Sequence, residues 1–349
     1  MKIAYFVDQF PLISETFVLG QITGMIDLGH EVVIFANRPT ATGVRHKAVD
    51  DYDLLKRTIY LPQTSERFVA RILPAFRAAV RLLRNGRFSV LLNVLNGPRF
   101  GRGAYNLKLL LLSAAFADNA EYDVLHCQFG QLGGRTLKLR QCGALRGVLV
   151  TTFRGTDAMK IAALKPEKYA ALFSGGDHFT AVSHAVRNKL VAIGCPADKV
   201  EILRSGIDLN RFRKRQFSHH HDPLRLISIG RLSKNKGVQY SISAVRQLVD
   251  GGLNVDYCIY GDGPYAGALR QTAHELGLDS VIRFEGRVDS RRIVSELSEA
   301  DILIAPSITG EHGEQEGLPN TLKEAMAIVV PAIGTSTGGI PELIEHGKL

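Results

Sequence analysis

The chain has no tryptophan and only four cysteines among its 349 residues, and no two cysteines stand in a C-x-x-C spacing. Clustered cysteines are the usual mark of zinc sites, redox motifs and disulfide frameworks, so the sequence favours none of these. The longest apolar run, residues 109–117, is much shorter than the roughly 20 residues that cross a bilayer. No signal peptide is visible after Met1. We therefore expect reduced thiols, no bound metal and a cytoplasmic location.

Strand and helix patterns alternate along the chain, which predicts an α/β fold with parallel sheets. The length predicts two domains, each large enough for its own core. We place an N-terminal domain at residues 1–205, a polar, basic linker at 206–223 and a second domain at 224–349. Three consecutive histidines, residues 219–221, lack acidic or cysteine neighbours at ligand spacing, so they favour a solvated linker over a metal site.

Two glutamates flank a predicted junction between a strand and a helix. An apolar strand pattern at residues 301–307 leads through a loop that contains Glu316 to a helix that opens near Asn320 and contains Glu324. A helix start at the carboxyl edge of a parallel sheet suits a phosphate group. Eight residues separate the glutamates, about 12 Å along a helix, which disfavours the pair about 5 Å apart of a retaining glycosidase. The two carboxylates can instead accept hydrogen bonds from a sugar and a ribose; the alternative is two ordinary helix glutamates.

A second motif, GRLSKNKG at residues 230–237, follows the predicted strand 224–229 and opens the next helix. Two of its three cations, Arg231 and Lys236, place positive charge at a turn between strand and helix. Such a pair suits a dianionic leaving group. The alternative is two solvated surface cations.

Both motifs occur in this order in the retaining GT-B glycosyltransferases of family 4, which the chain resembles over nearly its whole length. The resemblance implies two Rossmann-like domains facing across a cleft, a UDP- or GDP-sugar as donor substrate, no cofactor and no metal. In that family the first glutamate contacts the donor sugar, the second the ribose, and the two cations clamp the diphosphate. The implied catalytic residues are Glu316, Arg231 and Lys236. The implied donor-binding residues are Gly230, Arg231, Lys236, Arg287, Val288, Glu316, Gly317, Leu318, Pro319, Asn320, Thr321 and Glu324.

Segments of the first half narrow the resemblance. FPLISETF at residues 10–17, VLHCQFGQLGG at 124–134 and TTFRGTDAMK at 151–160 resemble exopolysaccharide glycosyltransferases of the colanic-acid and amylovoran type. That type implies a lipid-linked saccharide as acceptor. The acceptor-side residues implied by the match are Ser14, Glu15, Thr16, His126, Arg154 and Asp157.

Three departures from the family pattern keep other functions open. Arg154 stands where relatives often have histidine, and Val329 where they usually have the glycine that favours a left-handed helix end. The chain ends at Leu349, where relatives continue, so we expect a truncated second domain. The alternatives are a degenerate, inactive nucleotide-sugar-binding fragment and a sugar-nucleotide epimerase of the same fold. The paired motifs argue against the epimerase.

Basic residues are concentrated in one segment. Residues 56–112 contain eleven lysines or arginines and one acid, Glu66. Arg77, Arg81 and Arg84 recur at helical spacing among apolar residues, and Pro74 predicts a break into two helices. A basic amphipathic helix is typical of peripheral contact with an anionic membrane, here the inner face of the cytoplasmic membrane. The alternative is a core-facing helix with a solvated basic face. Nucleic acid is disfavoured, since interleaved aromatic residues are missing.

Overall fold

The computed structural model describes residues 1–12, 15–40, 45–155, 158, 166–209, 211–212 and 222–345. These residues form two compact units, each with its own sheet. The first unit contains the described parts of residues 1–153, 166–181 and 191–201, and the second those of 154–165, 182–190 and 202–349. Most of the predicted linker, the three histidines included, lies outside the described residues. The predicted α/β class with two parallel sheets is confirmed.

The first unit is built on a seven-stranded sheet with the strand order β3-β2-β1-β4-β5-β6-β7. The recorded pairings between its strands are parallel. Because the order reverses between β1 and β4, the carboxyl ends of these two strands border the crevice where such sheets bind ligands. The strands are β1 (Lys2–Phe10), β2 (Glu31–Pro39), β3 (Thr58–Tyr60), β4 (Glu121–Cys127), β5 (Arg146–Phe153), β6 (His178–Ala181) and β7 (Val200–Ile202).

Helices cover both faces of this sheet, as its parallel strands require. On β1, Ile3 and Tyr5 pack against Val18 and Ile22 of the first helix, while Phe6 faces the other side and stacks on Phe35. The helices in this half of the chain are α1 (Thr16–Asp27), α2 (Ala48–Asp51), α3 (Val69–Arg84), α4 (Phe88–Val94), α5 (Gly97–Phe100), α6 (Arg102–Tyr105), α7 (Lys108–Ser113), α8 (Gly130–Gln141), α9 (Ala170–Gly175) and α10 (His184–Ala192).

The prediction that Pro74 divides the basic segment into two helices is wrong, because α3 runs unbroken through it. Pro74 lies in the second turn, where its missing N–H removes a single main-chain hydrogen bond. Packing of α3 against α4 and α7 offsets that loss. The face that packs contains Ala75, Ala78 and Leu82.

A second face of α3 is apolar and exposed. Its side chains are Val69 (77% exposed), Ile72 (50%), Leu73 (59%) and Phe76 (66%). This row therefore does not face the core of the unit, whereas the face with Ala75, Ala78 and Leu82 does. No helix in the described part of the chain is long and apolar enough to cross a membrane.

The second unit is built on a five-stranded parallel sheet with the order β10-β9-β8-β11-β12. Its strands are β8 (Leu224–Ile229), β9 (Val255–Tyr260), β10 (Ile282–Gly286), β11 (Ile302–Ala305) and β12 (Ala332–Gly334). β11 is shorter than the predicted strand, since Pro306 has no N–H to donate to a ladder. The helices are α11 (Val238–Asp250), α12 (Ala266–Glu275), α13 (Ser290–Glu299) and α14 (Asn320–Ile328).

Residue 329, at the end of α14, takes a left-handed conformation although it is not glycine. Val329 has φ +68° and ψ +39°, and Val330 N–H donates to the Ala325 carbonyl at 2.9 Å, which closes the helix. A left-handed conformation costs an L-residue roughly 1–2 kcal/mol. A branched side chain here is therefore a local strain that glycine would relieve.

We predict that Val329→Gly stabilises the second unit by about 1 kcal/mol. The substitution relieves the strain of the left-handed conformation, and the greater conformational entropy that glycine loses on folding offsets part of this gain. Thermal unfolding followed by circular dichroism measures the change. Met326→Gly is the matched control, because Met326 is an exposed residue of the regular helix. That variant should lose about 1 kcal/mol. A loss of stability in Val329→Gly as well would contradict the strain.

Candidate functional site

The two halves of the predicted site meet in the second unit at the point where its strand order reverses. β8 and β11 are neighbours there, and their carboxyl ends open into one small pocket. Among the residues that line this pocket are Arg231 and Lys236 from the turn after β8, Ser307 from the segment after β11, and Pro319 and Thr321 from the start of α14. Residues about 80 positions apart in sequence thus form one wall.

The turn after β8 is held against the segment after β11 by main-chain contacts. Gly237 has φ +70°, and a Cβ atom there would lie 1.8 Å from the Pro306 carbonyl oxygen. Next to it, Ile308 N–H donates to the Asn235 carbonyl at 2.8 Å. Only glycine fits a left-handed position with a neighbouring backbone this close, so Gly237 determines where Lys236 stands.

Lys236 and Glu316, which were predicted to bind different parts of a donor, contact each other. The Lys236 ammonium donates to Glu316 Oε1 at 2.5 Å, and the Ser307 hydroxyl donates to the same oxygen at 3.1 Å. An ammonium has three donors, so Lys236 keeps two for another acceptor. Glu316 Oε2 accepts no hydrogen bond from the described residues. Arg231 is exposed and forms no ion pair within them.

The main chain of Glu316 is anchored by the glycine pair at residues 338–339. Gly339 N–H donates to the Glu316 carbonyl at 3.1 Å, and a Cβ atom at Gly338 would lie 2.0 Å from that oxygen. Gly317 in turn lies close to Gly155, since a Cβ atom on Gly317 would approach the Gly155 nitrogen to 2.8 Å. The loop of Glu316 is therefore held on two sides by backbone contacts.

The loop continues through Leu318 and Pro319 to α14, whose first residues are Asn320 and Thr321. Pro319 is the N-cap residue and provides no side-chain acceptor, and the first turn contains no acid. The first N–H groups of an uncapped helix attract an anion. The predicted phosphate seat thus lies beside the two cations of the pocket.

Glu324 lies one turn further along α14 among positive charges. Burial raises the pKa of its carboxyl, and Arg211 and Lys323 partly oppose the shift. Burial lowers the pKa of Lys323 to about 8, against the effect of Glu324 and together with that of Arg154. Lys323 also donates to the Ser205 carbonyl. The sequence analysis missed Lys323, since a lysine on a helix is normally a solvated side chain.

Arg154 belongs to the second unit rather than to the first. It is buried and donates from Nη1 to the Ser205 hydroxyl at 2.8 Å. Arg154 therefore contributes its positive charge to the surroundings of Lys323.

Arg287 and Val288 follow β10 at the same edge of the sheet. The main chain joins this turn to its neighbour, since Gly261 N–H donates to the Gly286 carbonyl at 2.7 Å. Arg287 is exposed, and its Nε lies 4.0 Å from Asp262 Oδ2. Val288 is partly buried against the core of the second unit. Their backbone groups are thus placed beside the end of β9.

The structure describes four of the six predicted acceptor-side residues, Glu15, Thr16, His126 and Arg154. Ser14 and Asp157 lie outside the described residues, Glu15 is the N-cap residue of α1, and Thr16 is its first residue. His126 is buried in β4, where its Nε2 lies 2.8 Å from the Thr152 hydroxyl.

An arginine that the sequence analysis did not single out lies near the strand-order reversal of the first unit. Arg135 is in the second turn of α8, the helix after β4, and helical side chains lean toward the helix N-terminus. Its Nε and Nη2 are buried and have no hydrogen-bond partner in the described chain. Burial lowers its pKa, against the effects of Cys127 and Asp8. An arginine on a helix gives no sequence signal of burial.

Family models match the two halves of the chain. Residues 91–211 match the model described as Glycosyltransferase Family 4, and residues 210–349 match that of Glycosyl transferases group 1.

Relatives match the chain over its full length. WcaL of Salmonella typhimurium, which carries the provisional name of a colanic acid biosynthesis glycosyltransferase, is 37% identical over all of this chain and 86% of its own. The amylovoran biosynthesis glycosyltransferase AmsK of Erwinia amylovora is 36% identical over 99% of this chain and 85% of its own. Neither is named as an epimerase.

A solved structure shares the fold. HepE of Anabaena, crystallised with UDP and glucose, has a TM-score of 0.68 and 16% identity, over 99% of this chain and 84% of its own. At this identity the likeness shows the two-unit GT-B fold alone.

Proposed function

This chain belongs to the family 4 GT-B glycosyltransferases of the colanic-acid and amylovoran type, and we propose that it transfers a hexosyl group from a nucleoside-diphosphate sugar to a lipid-linked oligosaccharide in exopolysaccharide synthesis. The observation that carries the proposal is that one pocket of the second unit gathers Arg231, Lys236 and the start of α14 beside Glu316. Relatives named for colanic acid and amylovoran support the exopolysaccharide assignment, and HepE with UDP and glucose supports a UDP-sugar.

In the proposed donor complex the diphosphate lies against Arg231, Lys236 and the first N–H groups of α14. Two side-chain cations and a helix terminus can balance a dianion in the role that a metal fills elsewhere. Glu316 Oε2 accepts a hydrogen bond from a hydroxyl group of the donor sugar. The Glu324 carboxylate accepts hydrogen bonds from the ribose hydroxyl groups. The turn at Arg287 and Val288 holds the base by its backbone.

The proposed reaction retains the anomeric configuration without a metal. The bond between the anomeric carbon and the diphosphate oxygen breaks, and the acceptor hydroxyl oxygen bonds to the same face of that carbon. The hydroxyl proton passes to the departing phosphate oxygen. Lys236 and Arg231 stabilise the charge that develops on the diphosphate, and Glu316 stabilises positive character on the sugar.

For the donor, we predict that Arg231→Ala and Lys236→Ala each weaken UDP or GDP binding about ten- to a hundredfold. The reason is that a hydrogen bond to a charged group is worth about 1.5–3 kcal/mol. Isothermal titration calorimetry measures the change, and binding of the uncharged nucleoside should stay the same.

Lys234→Ala is the matched control for the donor prediction. Lys234 has the same charge in the same turn, but it pairs with Glu311 and does not line the pocket. An equal loss of nucleotide affinity in Lys234→Ala would mean that the effect reflects net charge alone.

For the two glutamates, we predict that Glu316→Gln impairs sugar transfer more than nucleotide binding, and that Glu324→Gln weakens nucleotide binding itself. The reverse pattern would mean that the two residues have exchanged roles.

For the acceptor, we propose that its anionic phosphate group binds at Arg135. The buried, unpaired donors of this guanidinium are costly, and an anion would satisfy them. The reversal of strand order between β1 and β4 supports this position, since ligands bind at such points.

We predict that Arg135→Gln weakens binding of geranyl diphosphate, a soluble prenyl diphosphate, about tenfold or more, and that Arg135→Lys restores part of it. Calorimetry in saturating UDP measures this, because UDP blocks the donor pocket. Lys138→Gln, on the exposed face of the same helix, is the control. Unchanged binding in Arg135→Gln would remove the arginine from the acceptor site.

For the membrane, we propose that the exposed row of α3 inserts into the cytoplasmic leaflet while Arg77 and Arg84 meet anionic headgroups. Four large apolar side chains exposed on one helix face are unusual for a surface that meets only water. Arginines flank the row, as in helices that lie on anionic membranes.

We predict that the protein sediments with phosphatidylglycerol vesicles and not with phosphatidylcholine vesicles, less so in high salt. Ile72→Ser combined with Phe76→Ser should abolish sedimentation. Leu253→Ser is the control, since Leu253 is a comparably exposed leucine of the second unit. A dimer that the double substitution dissociates would instead assign this face to a second copy of the chain.

A further inference from the structure

The first unit contains a groove of about 560 Å³ whose interior none of the roles above uses, although Arg77 at its edge takes part in the proposed docking. We call it the α3 groove. It lies between α3, the edge strand β3 and the turn after α7, beside the amino-terminal halves of β2 and β4. Its size is within the range of about 300–1,000 Å³ of small-molecule sites. The apolar residues that define it are Val33, Phe35, Ile59, Ala78, Leu111 and Ala115.

The groove has one uncompensated charge. Arg81 and Asp118 line it and pair with each other. Arg77 also lines it, is exposed, and forms no hydrogen bond or ion pair with the described residues. The charged side chains of the groove therefore leave a net positive charge at Arg77, which is complementary to an anion.

The groove is continuous with the exposed apolar row of α3. Pro74, Arg77, Ala78 and Arg81 form one face of the helix, at the spacing of successive turns. The exposed row, with Phe76 and Leu73, is the face on the other side of Arg77. A ligand with its charged group at Arg77 would thus have its apolar part in the groove and membrane beside it.

We propose that the α3 groove binds one hydrocarbon chain of an anionic membrane lipid, with the headgroup at Arg77. The proposal deepens and rests on the proposed membrane docking, but it names a separate site: docking needs the exposed row, whereas chain binding needs the groove. It is also separate from the acceptor site at Arg135, which lies on the helix that follows the carboxyl end of β4. The bound lipid would keep the enzyme on the anionic leaflet.

The test uses cis-parinaric acid, a fatty acid whose fluorescence rises when its chain enters an apolar site. The full chain should bind about one equivalent saturably. Ala115→Phe, which fills the groove from a half-buried position, should weaken binding at least tenfold. Ile59→Asp should also weaken fatty-acid binding at least tenfold, because it places a negative charge in the groove. Ile59 is exposed, so this substitution should not disturb the packing of the core. Unchanged unfolding temperatures show that each variant is folded.

Arginine variants test the headgroup. Arg77→Gln should weaken binding of the acid several-fold but not that of its methyl ester, which has no charge. Arg84→Gln is the matched control, since Arg84 lies on the same helix and does not line the groove. Equal effects of Arg77→Gln and Arg84→Gln on the acid would remove the specific role of Arg77.

Vesicle sedimentation separates this inference from the proposed docking. Ala115→Phe should still sediment with phosphatidylglycerol vesicles, because the exposed row is intact. If the wild type sediments with vesicles but does not bind the fatty acid, or binds it equally well when the groove is filled, the groove proposal is wrong and the docking proposal remains. Saturable, groove-dependent fatty-acid binding without sedimentation would uphold the groove and overturn docking.

Discussion

The ion pair between Lys236 and Glu316 is the contact on which the proposed donor site depends. It joins residues 80 positions apart, and both side chains are largely withdrawn from water, with 29% and 13% of their surfaces exposed. Such a pair adds little net stability, because desolvation offsets much of the attraction. It does impose a geometry, since either charge left alone in the pocket would be costly. The turn after β8 and the loop before α14 are thereby kept together.

The main chain makes this arrangement possible. Parallel strands bring the ends of β8 and β11 to the same edge, where Gly237 comes within backbone contact of Pro306, and Gly338, after β12, comes within backbone contact of Glu316. A Cβ atom would lie 1.8 Å from the Pro306 carbonyl oxygen at the first position and 2.0 Å from the Glu316 carbonyl oxygen at the second, so any side chain there would force the segments apart. The pocket therefore depends on glycines that touch no ligand, and its charged residues are positioned by the backbone rather than by one another alone.

In the first unit, by contrast, the residues that suggest a function are those whose interactions are incomplete within the described chain. Arg135 has buried donors without partners, and the outer row of α3 has apolar side chains in water. Both arrangements are unfavourable in isolation and become favourable when an anion or a lipid surface is added. They lie on different helices, α8 and α3, so the acceptor contact and the membrane contact that we propose fall on separate elements.

The sequence by itself determined the α/β class, the parallel sheets and the family, because strand and helix periodicity and the two donor motifs are local patterns. The position of Arg287 and Val288 after β10 follows from the same local reasoning.

Only the tertiary structure decided which charges meet. Three features depend on segments that are far apart in the chain, and no local sequence pattern predicts them. They are the hydrogen bond from Lys236 to Glu316, the burial of the Arg135 Nε and Nη2 atoms, and the placement of Arg154 near Lys323. The continuity of α3 through Pro74 and the exposure of its apolar row were equally hidden. The physical reason is that a helix shows its period in sequence, whereas the face it buries depends on what packs against it.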